Sequence, residues 1–360
     1  MASSSSSERS ASTAARVTAR LDKYQPRGDD DDTAHFLQVV YTYLPVDGRN
    51  ILASNIVSLN DTELFQFQKH IETALLRPMK VVGGKTPAIE PSPCSGVSDS
   101  VEDLLSEDYS SSNRRQSQLR RSCLSRDNHR CVITGMWDSD YKDRPADENA
   151  TSLEAAHIVP FGLGTFRDGE RRSNATIWQC IYRYFPVVRR FFHQPEEDIN
   201  RLDNVMMLNP MIHKEFGRFA LILEETDISD RYRPKIFPNF KEGYMRIHIP
   251  QFVIIESHDA NQPAINKDLL ALHAAVGNIL HASGRGEAIE QILEYMEEGG
   301  GDIIARDGST NIEELLSLTS LSLLATNSTH LAPPVEDKNI RKFKAGFSGA
   351  ENAPLNFANQ

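Results

Sequence analysis

The chain has 360 residues, of which 39% are hydrophobic and 25% charged, and it carries a formal net charge of −11. This length allows one sizeable domain or a domain with appendages. The acidic balance argues against a uniformly basic nucleic-acid-binding protein, because phosphate groups are neutralised by clustered Lys and Arg. The distribution is uneven, however. From Arg114 to Arg218 there are 17 Lys/Arg against 14 Asp/Glu, so a mildly basic central third lies between acidic flanks.

Membrane-spanning and disulfide-rich classes are excluded by simple patterns. No apolar stretch approaches the roughly 18 residues of a membrane span. The first ten residues, MASSSSSERS, contain no apolar segment typical of a secretory signal. The four cysteines show no Cys-x-x-Cys spacing, so neither a disulfide framework nor structural zinc is expected. We expect a soluble intracellular protein, nuclear or cytoplasmic and not secreted, with no membrane partner.

The N-terminal part divides into three predicted segments. Residues 1–32 are Ser-rich and then acidic, which predicts a disordered tail. Residues 33–81 predict a small helical segment, in which Asp61–Leu76 forms an amphipathic helix capped by Asn60 or Asp61. Residues 82–118 are rich in Pro, Gly and Ser and predict a linker.

The remainder is predicted to be a globular domain followed by helices and a tail. We place the domain at 119–260, the C-terminal helices at 261–298 and a mostly disordered tail at 299–360. Within the domain, short apolar runs bounded by polar residues predict strands. A longer apolar, aromatic and basic segment predicts an inserted helix. The strand runs are 205–208, 219–223 and 252–255, and the inserted helix is 177–192.

Two histidines stand at positions suited to chemistry. His157 lies in an apolar run that ends at Pro160, which is consistent with a short strand exposing the imidazole near its end. After the run 205–208, Asn209-Pro210 predicts a helix start, with an N-cap residue followed by Pro at the first helical position. His213 then falls in the first turn, where the free N–H groups favour anions such as phosphate. Two imidazoles on strand and helix could converge on one point.

Three sequence elements around these histidines resemble the HNH endonucleases, and in particular a branch common among fungal and bacterial proteins. They are the Cys-x-x-Thr-Gly element at 131–135, the Glu-Ala-Ala-His-Ile-x-Pro element at 154–160, and an Asn-x8-His-x-x-Phe element from Asn204 through His213 to Phe216. The resemblance covers about 120–225, a third of the chain. It implies an α+β fold with a ββα-metal core, here with additional helices, short strands and disordered termini.

The resemblance also implies a role for each matching residue. His157 corresponds to the general base that activates water, Asn204 to the asparagine that positions this histidine and the hairpin, and His213 to the metal ligand. Mg²⁺ is the expected cation, with Mn²⁺ possible. Many HNH enzymes have an acidic ligand just before the base, where this chain, like others of its branch, has Ala156, so Glu154 is offered as a second ligand. The Asp that usually follows the Phe is replaced by Gly217.

The expected function is a metal-dependent endonuclease acting on nucleic acid, with DNA favoured over RNA. Arg126 and Arg130 belong to a cluster of arginines that could contact phosphate, although a solvated linker and helix face explains such a cluster equally well. The alternative function is an inactive HNH scaffold that acts as an interaction protein. The overall acidity and the missing acidic ligand favour that alternative.

Overall fold

The chain begins with a group of packed helices, seen in a computed structural model that describes residues 2–80, 116–164, 171–241 and 247–290. One of these helices starts at a capping box, in which the Asn60 side chain accepts from the Glu63 N–H and the Glu63 carboxylate accepts from the Asn60 N–H. The predicted helix from 61 to 76 is present, although its last turn widens into a π-helix. The elements are α1 (Ala2–Leu21), α2 (Thr33–Tyr43), α3 (Val46–Ser58), α4 (Asp61–Ile71), the π-helical turn Glu72–Leu76 and α5 (Arg77–Lys80).

The prediction of a disordered tail at 1–32 is wrong for most of this segment, because α1 is helical and packs against α3. Val17, Leu21 and Tyr24 recur at helical spacing and are buried. Arg20 donates to the Leu59 carbonyl at 2.8 Å and pairs with the Asp61 carboxylate at 2.8 Å. The average composition of the Ser-rich segment does not reveal this single row of apolar residues. The row is buried only when α1 packs against α3 in the folded chain.

The central region contains two small sheets and a long insertion. Its first helix begins at Gln116, so the predicted linker ends slightly earlier than 118. The first two strands pair in parallel, and the next two pair antiparallel. The elements are α6 (Gln116–Arg126), β1 (Trp137–Asp138), β2 (Ala150–Thr151), β3 (Glu154–His157), the 3₁₀ turn Phe161–Gly164, α7 (Arg171–Tyr184), the 3₁₀ turn Pro186–Arg190, α8 (Pro195–Asp198), the 3₁₀ turn Leu202–Asn204, β4 (Val205–Leu208) and α9 (Pro210–Gly217).

The insertion between β3 and β4 contains the predicted helix, although it begins and ends earlier than 177–192. The helix α7 ends at Tyr184 because Pro186 disfavours helical backbone at the residue before it. Its buried face reaches the N-terminal helices, where the Asn55 amide donates to the Tyr184 hydroxyl at 3.2 Å. A Cβ on Gly48 would lie only 1.9 Å from the Tyr184 carbonyl oxygen, so α3 and α7 approach closely. The helical segment and the central region therefore share a core.

A third sheet and a long helix complete the described chain. The strands β5 (Leu221–Glu225), β6 (Arg231–Ile236) and β7 (Val253–Ile254) form an antiparallel sheet in that order. The strands predicted at 219–223 and 252–255 are confirmed within two residues. Strand β6 was not predicted, because its sequence RYRPKI contains a proline and few apolar residues. The helix α10 (Lys267–Ala282) packs against β5.

Three of the segment predictions fall wholly or partly outside the described residues. The linker between 81 and 115 and the tail at 299–360 lie outside them, as do the last residues of the segment 261–298. Within the described chain, no helix combines the length and the apolar character needed to cross a membrane.

Candidate active site

The antiparallel pair β3–β4 and the helix α9 position the candidate site. In the strand register, Glu154 lies opposite Leu208 and His157 opposite Val205. Because α9 starts two residues after β4 ends, the beginning of β3 lies beside the beginning of this helix. The predicted N-cap is confirmed, since the Asn209 side chain accepts from the Ile212 N–H at 2.9 Å. The helix start is thereby fixed next to the strand that contains the first histidine.

The His213 imidazole is paired with a carboxylate across this junction. Its Nδ1 lies 2.7 Å from Glu154 Oε2, and the two side chains are 37% and 48% exposed. Glu154 and His213, which are 59 residues apart in the chain, are thus brought into direct contact. A carboxylate hydrogen-bonded to one ring nitrogen fixes the tautomer and the orientation of an imidazole. Nε2 is then the nitrogen that remains for a ligand.

The His157 imidazole lies at the other end of β3 in a half-buried environment. Its Nε2 lies 3.1 Å from Asn200 Oδ1, and its ring is tilted against that of Phe161 with centroids 5.4 Å apart. Burial lowers the pKa of His157, the hydrogen bond to Asn200 raises it, and the charge of His213 lowers it again. The net effect is a pKa below the usual value, which keeps the imidazole neutral at neutral pH.

Asn204 is fully buried, and its side chain binds backbone groups rather than a histidine side chain. Its Oδ1 accepts from the Val159 N–H at 2.9 Å, and its amide donates to the Val159 and Ile199 carbonyls at 3.2 and 2.9 Å. Its own carbonyl accepts from the Ile158 N–H. Asn204 therefore fixes the chain immediately after His157, while the side chain that touches this histidine is Asn200.

The prediction that Arg126 contacts nucleic acid is corrected by its burial. The side chain is 0% exposed and pairs with Asp127 through Nε at 2.6 Å. It also donates to the Leu202 and Val205 carbonyls at 2.5 and 2.6 Å. All of these partners are groups of the protein itself, and through them Arg126 links the end of α6 to the start of β4. A phosphate cannot reach it without disrupting these contacts.

Arg130 lies closer to the surface and could still contact phosphate. Its guanidinium lies 3.9 Å above the Trp137 ring, and it pairs with Glu148 at 3.6 Å. The side chain is 38% exposed. Stacking on an aromatic ring fixes the plane of the guanidinium while leaving its edge open to a partner. The structure thus separates the two arginines that the sequence had grouped.

The potential metal ligands number fewer than in a closed metal site. Among the described residues, no group of three His, Cys, Asp or Glu side chains is close enough to hold an ion. Ala156 is fully buried, so a carboxylate at that position would point into the core. His213 and Glu154 are the two potential ligands that the described residues bring together at this site. One imidazole and one carboxylate leave the remaining positions of a divalent ion to water or substrate.

Two residues at the site were missed from the sequence. Asn200 and Phe161 contact His157 but belong to no motif, and Asn200 is separated from His157 by the long insertion. Phe161 follows Pro160 directly and is 43% exposed, an unusual exposure for a large aromatic side chain beside an apolar run. The position of Phe161 directly after the apolar run was the sequence signal for this residue, and nothing in the sequence indicated Asn200.

Comparison with known proteins agrees with the geometry. A protein-family model described as HNH endonuclease matches residues 131–224. The matched segment runs from the Cys-x-x-Thr-Gly element to β5 and includes Glu154, His157, Asn204 and His213. No curated protein and no solved structure matches the chain significantly. Residues 131–224 therefore match the HNH endonuclease family.

Proposed function

We propose that this protein is a metal-dependent endonuclease that hydrolyses phosphodiester bonds of nucleic acid, with DNA favoured over RNA. In this proposal β3, β4 and α9 form a ββα-metal core. His157 is the general base, Asn204 holds the backbone around it, and His213 with Glu154 binds a divalent cation. The observation that carries the proposal is a half-buried His157 on β3 whose protonated form is disfavoured by burial and by His213, a carboxylate-bound imidazole on the adjacent helix.

The properties of His157 suit proton abstraction from water. A general base must be unprotonated at the working pH, and burial keeps the pKa of this imidazole below its usual value. Nε2 is occupied by the contact with Asn200 Oδ1, so Nδ1 would be the ring nitrogen that accepts the proton. The tilted ring of Phe161 covers part of the imidazole and limits its access to bulk water.

The His213–Glu154 pair fits a cation that is completed by its substrate. Mg²⁺ usually keeps several waters and binds through one or two carboxylates together with phosphate oxygens, while Mn²⁺ accepts imidazole more readily. Glu154 would supply an oxygen ligand or orient His213 from behind. The first turn of α9 adds the positive end of a helix dipole, which favours a bound phosphate. When bound, such a cation supplies positive charge that polarises the phosphodiester.

A plasmid-nicking assay tests this function. The purified protein should convert supercoiled DNA to the open circular form in the presence of Mg²⁺ or Mn²⁺. His157→Ala should abolish nicking because no neighbouring group replaces the base, and His213→Ala should reduce it with a higher metal requirement. His248→Ala provides the matched control, since this histidine is exposed and lies outside the site. Nicking that persists in His157→Ala refutes the assigned base.

The second candidate function is a catalytically inactive HNH scaffold that acts as an interaction protein. It is favoured by the small donor set, in which the described residues bring no three potential ligands together, and by the net charge of −11. Titration calorimetry with Mn²⁺ separates the two functions. The enzyme should bind Mn²⁺ in a manner that His213→Ala weakens, whereas the scaffold should give no heat of binding at this site and no cleavage with any divalent ion.

A further inference from the structure

We infer that Asn200 is the positioning residue that sets the tautomer of His157, while Asn204 holds the backbone after His157 and before Asn200; this inference rests on the proposed function. Asn204, the asparagine of the sequence motif, forms its side-chain hydrogen bonds with backbone groups of Val159 and Ile199. The contact to the imidazole comes from a second asparagine, four residues earlier. The work of orienting the base is therefore divided between two residues.

The hydrogen bond itself defines which ring nitrogen holds the proton. The acceptor oxygen of Asn200, Oδ1, lies 3.1 Å from His157 Nε2. A carbonyl oxygen can only accept, so the neutral imidazole must donate its proton from Nε2. The unprotonated nitrogen is then Nδ1. The opposite tautomer would place two acceptors against each other in a half-buried environment, where an unmatched polar contact is costly.

The turn that presents Asn200 is held from two sides. The Asn204 amide donates to the carbonyl of Ile199, the residue directly before Asn200, at 2.9 Å. Ile199 is buried, and a Cβ on Gly164 would lie only 2.5 Å from its Cγ2 atom. Gly164 ends the 3₁₀ turn that follows β3, so the segment after His157 and the segment bearing Asn200 are packed directly together. The Asn204 side chain thus binds both the chain that follows His157 and the peptide that precedes Asn200.

The charges near His157 do not replace this hydrogen bond. Within the described part of the chain, the charged group that acts on His157 is His213, which is itself paired with Glu154. His213 disfavours the protonated form of His157 but does not choose between its two neutral tautomers by contact. Asn200 is the side chain that does so through a direct hydrogen bond. The inference assigns it a role distinct from metal binding.

The test compares Asn200→Leu, which removes the acceptor at similar volume, with Asn200→Asp, which keeps an acceptor oxygen. The readout is the ¹⁵N-edited NMR spectrum of the metal-free protein with labelled histidine. Wild type should show a His157 Nε2–H proton protected from solvent exchange, Asn200→Leu should lose that signal, and Asn200→Asp should retain it. Asn50→Leu serves as the matched control, because Asn50 is exposed on α3 and far from the site in sequence.

Kinetics add a second readout and separate this inference from the proposed function. Where wild type cleaves DNA, Asn200→Leu should lower kcat by about tenfold with little change in KM, the loss of roughly one oriented hydrogen bond. A His157 proton on Nδ1, or an Nε2–H signal that survives in Asn200→Leu, overturns the inference even if the protein is a nuclease. The NMR result expected above supports the positioning role even in a protein without nicking activity, which would refute only the proposed function.

Discussion

Substitution of Arg126 by Met should lower the free energy of unfolding, and it should not weaken nucleic-acid binding directly. The long apolar stem of Met fills much of the space of the Arg side chain, so the main loss is the guanidinium group. In the fold this group binds Asp127 through two nitrogens, at 2.6 and 2.8 Å, and two backbone carbonyls. Both side chains of the pair are buried, at 0% and 2% exposure. Solvent therefore cannot screen or replace the lost interaction.

The expected magnitude follows from the groups left behind. Removing one partner of a buried ion pair costs about 3–5 kcal/mol, because an uncompensated charge remains in the interior. The carbonyls of Leu202 and Val205 also lose their donor, at about 1–3 kcal/mol for each buried unsatisfied group. Asp127 keeps the Met207 N–H at 2.9 Å, and these losses are not additive. We therefore expect a decrease of about 3–5 kcal/mol in the free energy of unfolding.

Urea unfolding monitored by circular dichroism measures this loss, with Arg130→Met as the matched control. Arg130 is 38% exposed, so its substitution should change the free energy of unfolding by less than about 1 kcal/mol while weakening DNA binding. Asp127→Asn in the Arg126→Met background should recover part of the stability by neutralising the remaining charge. An Arg126→Met protein as stable as wild type but with weakened DNA affinity would show that Arg126 contacts phosphate and that its burial is misassigned.

Two further predictions concern the helices around the site. His273 is enclosed by stacked rings of Phe216 and Phe219, with centroids 3.8 and 4.3 Å away, and burial lowers its pKa to about 3. The imidazole is protonated below about pH 6.5 in the unfolded protein but stays neutral in the folded protein. The free energy of unfolding is therefore highest above pH 6.5 and falls by up to about 1.4 kcal/mol per pH unit as the pH decreases towards 3. Urea midpoints between pH 6.5 and 4.5 should therefore fall more steeply in wild type than in His273→Gln, and equal slopes would contradict the burial of a neutral imidazole. Asn209→Ala should cost about 1–2 kcal/mol by removing the N-cap bond to Ile212, and Asn209→Asp should restore most of it in thermal unfolding; similar losses in both variants would mean that the cap does not stabilise α9.

Local patterns predicted the elements that carry the site because their signals lie within a few residues. The Asn209-Pro210 pair fixed the start of α9 through capping and the fixed φ of proline, and the run at 205–208 became β4. The strand that ends at His157 also formed as expected. Such short-range signals act on the backbone before any distant contact is made. The N-terminal helix α1 escaped prediction because its apolar stripe is sparse and is stabilised by packing on α3.

The sequence by itself determined that His157, Asn204 and His213 form a recognisable set in the right order, together with the helix start next to His213 and the candidate second ligand Glu154. Only the tertiary structure decided which side chain touches each imidazole. Asn200 reaches His157 across an insertion of more than 40 residues, and Arg126 turns inward while the nearby Arg130 remains half-exposed. The physical reason is that contacts between distant residues depend on how the chain packs, whereas sequence patterns report mainly on neighbours. The motif therefore located the site, and packing assigned the roles of its residues.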